Sequence, residues 1–151
     1  MARRVRSPSR KPRYRTFAAL DPFFEIVRRG LSGVVDGEHY FDTIAEDAVF
    51  EFRYDFPGFP RRIEGRDALM ELYLGYGDHI VLSRADALVV HPCDDGSVVV
   101  VEYDVHGRVV ASGAAYENRF ASIVTIESRR IVRWRDYMDS LSAMRALSAK
   151  L

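Results

Sequence analysis

Apolar and polar positions recur along this chain in two periods, and their order predicts the architecture. In "DPFFEIVRRGLSGVV", Phe24, Val27, Leu31 and Val34 recur at three- and four-residue spacing and share one helical face. Asp21 is the expected N-cap, with Pro22 at the first helical position, and Asp36-Gly37 breaks the pattern. "EHYFDTIA" reads as a short second helix. The period then changes to two in "DAVFEFRYDF", an aromatic-rich stretch that reads as a strand, with "PGFP" as a loop after it. "GRDALMELYLGYG" returns to helical spacing through Leu69, Leu72, Tyr73 and Tyr76. Four runs rich in β-branched residues follow at 80–91, 97–110, 115–127 and 131–138. They are separated by turns at "DDG" and "SRR" and by a link at 111–114, and "DSLSAMRAL" closes as a short helix. Helices first, then an antiparallel meander, describe an α+β domain with helices packed on one face of a sheet.

Composition adds bounds. At 151 residues the chain has the size of one globular domain. No apolar run reaches the roughly 18 residues of a spanning helix, and no apolar segment follows the basic start as in a signal peptide. The single cysteine, Cys93, excludes an internal disulfide and fits a reducing compartment, so a cytoplasmic protein without a membrane partner is expected. The balanced charge hides an asymmetry. Seven of the 22 basic residues, and none of the 22 acidic ones, fall in residues 1–17, so the remainder is net acidic. Residues 1–17 therefore read as a basic flexible tail and 18–151 as a single domain. Such a tail could touch nucleic acid or anionic lipid. The acidic body offers no matching basic stripe, so a solvated extension and no nucleic-acid partner are expected.

Candidate chemistry concentrates in "RWRDYMD". Along a strand Trp134, Asp136 and Met138 point one way, and Arg133, Arg135 and Tyr137 the other. Asp136 thus sits between two large apolar side chains, where an unpaired charge is costly. Two readings of it stand: a group that moves protons, or a structural acid paired with an arginine such as Arg119 or Arg135. On 97–110, Glu102, Asp104 and His106 share one face, and Val99, Val101, Tyr103 and Val105 the other. On 115–127, Tyr116, Asn118, Phe120 and Ser122 share a face. His39, His79 and His91 lack ligand spacing, so no metal site is expected. Glycine-rich phosphate loops and local Ser-His-Asp or Cys-His arrangements are absent from the sequence.

The order of elements, together with "IAEDAVFEF" (44–52), "IEGRDAL" (63–69) and "RIVRWRDYMDSL" (130–141), resembles the nuclear transport factor 2-like superfamily. Within it the resemblance is to the SnoaL-like polyketide cyclase family, whose relatives include limonene epoxide hydrolase, phenazine-biosynthesis proteins and ketosteroid isomerase. It covers about residues 20–148. It implies a cone-shaped, strongly curved, mostly antiparallel sheet packed on about three helices and enclosing an apolar pocket. In that cone the inward sets would be Glu102/Asp104/His106, Asn118/Phe120/Ser122 and Trp134/Asp136/Met138, with Tyr116, Phe50, Phe52 and Tyr73 on the wall.

Asp136, with Asp104 as a second carboxylate, would be catalytic, and the other pocket residues would bind a small apolar substrate. A carboxyl in such a pocket should titrate nearer neutrality than usual. Limonene epoxide hydrolase looks to place an arginine where this chain has Glu102, and a tyrosine and an asparagine where it has Phe50 and Phe52. Epoxide hydrolysis by that arrangement is therefore not expected. Phe52 also stands at the position of the ketosteroid isomerase base, whereas "YENRF" and "RDYMD" resemble the phenazine-type proteins more closely.

The resemblance implies cofactor-independent acid–base chemistry of cyclase, isomerase or dehydratase type on an apolar cyclic or polyketide-like compound. The alternative is a non-catalytic ligand-binding or dimerisation module. Relatives pair through outer sheet faces, so a homodimer is implied, with Val99, Val101, Tyr103, Arg133 and Tyr137 on that face and "DFPGFPRR" as a candidate lid.

Overall fold

A computed structural model of the chain describes residues 12–93 and 95–148. Residues 1–11, which carry most of the charge of the expected tail, lie outside the described residues. The helices are α1 (Asp21–Gly30), α2 (Arg66–Leu74) and α3 (Ser140–Ser148). The strands are β1 (Ile44–Phe52), β2 (Arg62–Glu64), β3 (Ile80–Pro92), β4 (Val98–Val109), β5 (Ala115–Glu127) and β6 (Arg130–Met138). They form one curved sheet in the order β2-β1-β6-β5-β4-β3, antiparallel throughout except for the parallel β1–β6 pair. The expected α+β architecture and the β3–β6 meander are both present.

Local chemistry shapes the curvature. The β5–β6 hairpin turns through Ser128 and Arg129 at φ 50° and 61°, a pair of positive values whose twist matches the flanking strands. The β3–β4 ladder breaks register twice, with Ala87 at φ 56° inside the second break, and such bulges bend a sheet. At the first break Gly107 faces Leu82 so closely that an added Cβ would lie 2.2 Å from the Val81 carbonyl oxygen. α1 presents Phe23, Phe24, Ile26 and Val27 to the concave face. They pack with Val99, Val101, Tyr103 and Val105 of β4 in one aromatic-rich core.

Four expectations need correction. Asp21 is the first residue of α1 rather than its cap; Leu20 holds the cap position, and the helix ends at Gly30, where the Leu31 N–H bonds back to the Val27 carbonyl. The second helix shrinks to a 3-10 turn, Tyr40–Thr43, and β1 starts directly behind it at Ile44. The turn is closed by His39, whose Nδ1 accepts the Phe41 N–H. The tail boundary is also too late, because Pro12–Leu20 forms a 3-10 helix. Tyr14, Phe17 and Leu20 recur at the three-residue period of that helix and are all buried. Tyr14 stacks on His39 at 4.2 Å and donates to Asp42 Oδ1 at 2.5 Å. The basic charge of this stretch masked its apolar period.

Last, β4 faces the opposite way. Its inward residues are Val99, Val101, Tyr103 and Val105, and Glu102, Asp104 and His106 lie on the convex face. Opposed residues of an antiparallel pair share a face. Tyr103 opposes Phe120, and Asp104 opposes Arg119, so Phe120 and Asp104 cannot both point inward. The same reversal removes Val99, Val101 and Tyr103 from the outer face, leaving Arg133 and Tyr137 there.

Candidate functional site

Asp136 reaches the concave face because of a bulge. Ile126 pairs with Ile131 but Thr125 pairs with Arg133, so β6 carries one extra residue, Val132. That residue changes the parity of the strand. Ile131 is buried before it, and Trp134 and Asp136 are buried after it. Beyond the bulge Ser122 lies directly opposite Asp136, Val124 opposite Trp134, and Phe120 opposite Met138. On the other side Phe52 of β1 is the parallel neighbour of Asp136, and Phe50 that of Trp134.

Asp136 is only 5% exposed. Its Oδ1 accepts from Ser122 Oγ at 2.7 Å and from Trp134 Nε1 at 3.1 Å. Among the described residues no donor reaches Oδ2. No arginine among the described residues approaches either, and the two arginines of the structural ion-pair reading are engaged elsewhere. Arg119 pairs with Asp139 at 3.5 Å, and Arg135 turns outward to Glu51 at 3.7 Å. Burial raises the Asp136 carboxyl to about 6, against the opposing effect of the Ser122 and Trp134 hydrogen bonds. Tyr40, Tyr54, Tyr73, Tyr103 and Tyr116 surround it, each with its phenol raised, first by burial and further by the charge of Asp136. Tyr40 is wholly buried, and its hydroxyl has no partner among the described residues.

Two cavities meet near this carboxyl. The inner one, about 60 Å³, has Asp136 in its wall with Phe23, Tyr73, Leu82, Val105 and Phe120. The outer one, about 430 Å³, is lined by Leu72, Ile80, Tyr116, Met138, Ala143 and Leu147 among others, and falls in the size range of small-molecule sites. Tyr54, Phe59 and Tyr76 belong to both walls and stand between them. Phe59 comes from the expected lid and Tyr54 directly precedes it in the loop between β1 and β2, and Phe59 packs edge-on against Phe52 at 4.8 Å.

The predicted site residues divide into three groups. Asp136, Ser122, Phe120, Met138, Tyr116 and Tyr73 converge on the two cavities or on the carboxyl itself, and Trp134, Phe50 and Phe52 form the buried wall behind it. Asn118 faces inward but is fully engaged. Its Nδ2 donates to the Tyr116 hydroxyl at 3.1 Å, and its Oδ1 accepts the Asp139 N–H at 3.0 Å, tying β5 to the start of α3. Glu102, Asp104 and His106 are not brought to the site. His106 lies between Asp86 at 2.8 Å and Glu117 at 3.2 Å on the convex face, with its imidazole raised chiefly by the Asp86 hydrogen bond. Glu102 contacts His91 there at 2.6 Å. Sequence reasoning missed Leu20, Phe23, Tyr54, Phe59 and Tyr76. The aromatic run in "YDFPGF" was the available signal for two of them.

Comparison with known proteins agrees with the fold. The family model of the SnoaL-like domain matches residues 19–134. The uncharacterised protein YesE of Bacillus subtilis is 38% identical over 96 residues, 64% of this chain. That match spans 65% of YesE, a little under two thirds of its length. A Bacillus subtilis crystal structure provisionally named an isomerase superimposes with a TM-score of 0.70 at 28% identity, covering 93% of this chain and 99% of that one. A phenazine biosynthesis-related protein of Pseudomonas aeruginosa gives a TM-score of 0.64 at 22% identity over 93% and 88% of the two chains. A Xanthomonas campestris protein provisionally named a polyketide cyclase gives 0.64 at 20% identity over 91% and 100%. These last two likenesses speak to the fold alone.

Proposed function

Because the chain belongs to the SnoaL-like domain family, we propose that it is a cofactor-independent enzyme in which Asp136 moves protons on an apolar cyclic or polyketide-like carbonyl compound. One observation carries this: a buried carboxyl without a counter-ion among the described residues, raised to about 6, with one oxygen open to a cavity. A group with that affinity exchanges protons readily in both directions near neutral pH, as general acid–base catalysis requires. The ionised Oδ2 takes a proton from carbon next to a carbonyl. The protonated Oδ2 returns it to the same or a neighbouring carbon, or to oxygen after ring closure, so no proton is gained or lost overall. The outer cavity receives the apolar body, and the aromatic walls exclude water from the reacting end. The names of the isomerase- and cyclase-type neighbours fit this class of chemistry.

The experiment is hydrogen–deuterium exchange. A panel of apolar cyclic ketones and 1,3-diketones is incubated in D₂O with the wild type and with Asp136→Asn, and loss of the α-proton signals is followed by NMR. Exchange by the wild type at least about 100-fold faster than by the variant is expected, in line with the usual contribution of a positioned acid–base group. One observation favours the alternative of a ligand-binding module: the inner cavity holds only a few waters as it stands. Ketone binding with equal, background exchange by both proteins would establish that module instead.

A further inference from the structure

The two oxygens of Asp136 are not equivalent, and the difference is built by the strand register. Both of its hydrogen bonds from described residues fall on Oδ1, one from across the β5–β6 ladder and one from two residues back on the same strand. We propose that Ser122 and Trp134 are positioning residues that hold Oδ1 and so reserve Oδ2 as the single working oxygen of Asp136. This deepens the acid–base reading above and rests on it.

The donor directions are fixed by chemistry. An indole N–H only donates. The Ser122 hydroxyl has one proton, and at 2.7 Å from a carboxylate that proton is committed to Asp136. The Tyr103 hydroxyl, 3.3 Å from Ser122 Oγ, must therefore donate to Ser122, which completes a chain from Tyr103 through Ser122 to Asp136. All three partners are nearly inaccessible to water. Oδ1 accepts these two bonds whether Asp136 is ionised or protonated, so neither donor has to turn during a proton transfer. The added proton goes to Oδ2, where no protein donor among the described residues competes, on a side chain that lines the inner cavity. The titratable groups facing Asp136 from the neighbouring elements are tyrosines: Tyr40 before β1, Tyr54 after it, Tyr73 on α2, Tyr103 on β4 and Tyr116 on β5. All of them are neutral between pH 4 and 8, so among the described residues no second charge facing Asp136 obscures the effect of the two donors. The stacking of Tyr103 on Phe120, 5.4 Å apart and 4° from parallel, holds the start of the chain in place.

The test reads the carboxyl directly and needs no substrate. Protein labelled with ¹³C in aspartate side chains is titrated by NMR, and the Asp136 resonance is assigned by its loss in Asp136→Asn. Removing a donor to the anion with Ser122→Ala is expected to move the midpoint up by roughly one pH unit. Trp134→Phe is expected to shift it in the same direction, Tyr103→Phe by less, and Ser122→Thr to restore it. A folded Ser122→Ala or Trp134→Phe protein with an unchanged or lowered midpoint overturns the inference. The two claims fail separately. Shifted midpoints without ketone exchange would sink the acid–base function alone, whereas exchange that depends on Asp136 with unshifted midpoints would sink the positioning role alone.

Discussion

Asp136 works against the fold that contains it. In the unfolded chain an aspartate titrates near 3.9, whereas burial raises this one to about 6. Between those values the folded state holds a proton that the unfolded state has released, so stability falls as pH rises from about 4 to about 6. Above about 6 the whole penalty is present, roughly 3 kcal/mol. Asparagine keeps an acceptor for Ser122 and Trp134 and carries no charge. Asp136→Asn should therefore be more stable than the wild type by about 1–3 kcal/mol at pH 7.5, with the gap closing near pH 4, as urea unfolding at the two pH values would show. A variant less stable than the wild type at pH 7.5 would make the carboxylate a structural group. At this scale the inward direction of Asp136 was legible from strand alternation and the family resemblance. The fate of the arginines was not. Arg135 joins Arg133 and Arg53 around Glu51 on the convex face, where the Arg133 hydrogen bond, ahead of other effects, holds the Glu51 carboxyl below its usual range.

At the scale of elements, the meander was readable because each of the first three runs of β-branched residues ends in a turn or link short enough to force a hairpin. Two features were not. The direction of β4 depends on register with β5, and a register is a relation between strands that neither strand shows alone. The bulge at Val132 changes the parity of β6 without any glycine or proline to mark it. We propose that access depends on the β1–β2 loop, since its Phe59 lines both cavities. Phe59→Ala should join them at a cost of about 1–2 kcal/mol, because this ring is only half-buried. In the exchange assay it should raise the rate for bulkier ketones relative to the smallest one. An unchanged ranking across the panel would mean that Phe59 does not control entry.

For the whole molecule, an α+β cone with one concave apolar face follows from helices placed before, between and after the strands of a curved sheet and covering its inner side. Where the fold begins was misjudged, since Tyr14, Phe17 and Leu20 bring a charged stretch into the core. Among the described residues no helix is long and apolar enough to cross a membrane. The molecule as a whole converges on a single point, the open oxygen of Asp136 beneath an aromatic wall. The most direct test is a crystal structure of the protein soaked with an apolar cyclic ketone. The account predicts density that spans both cavities, with the ketone's reacting carbon or oxygen in contact with Asp136 Oδ2 and with Phe59 displaced. Ligand confined to the outer cavity, with Asp136 still sealed behind Tyr54, Phe59 and Tyr76, would contradict it.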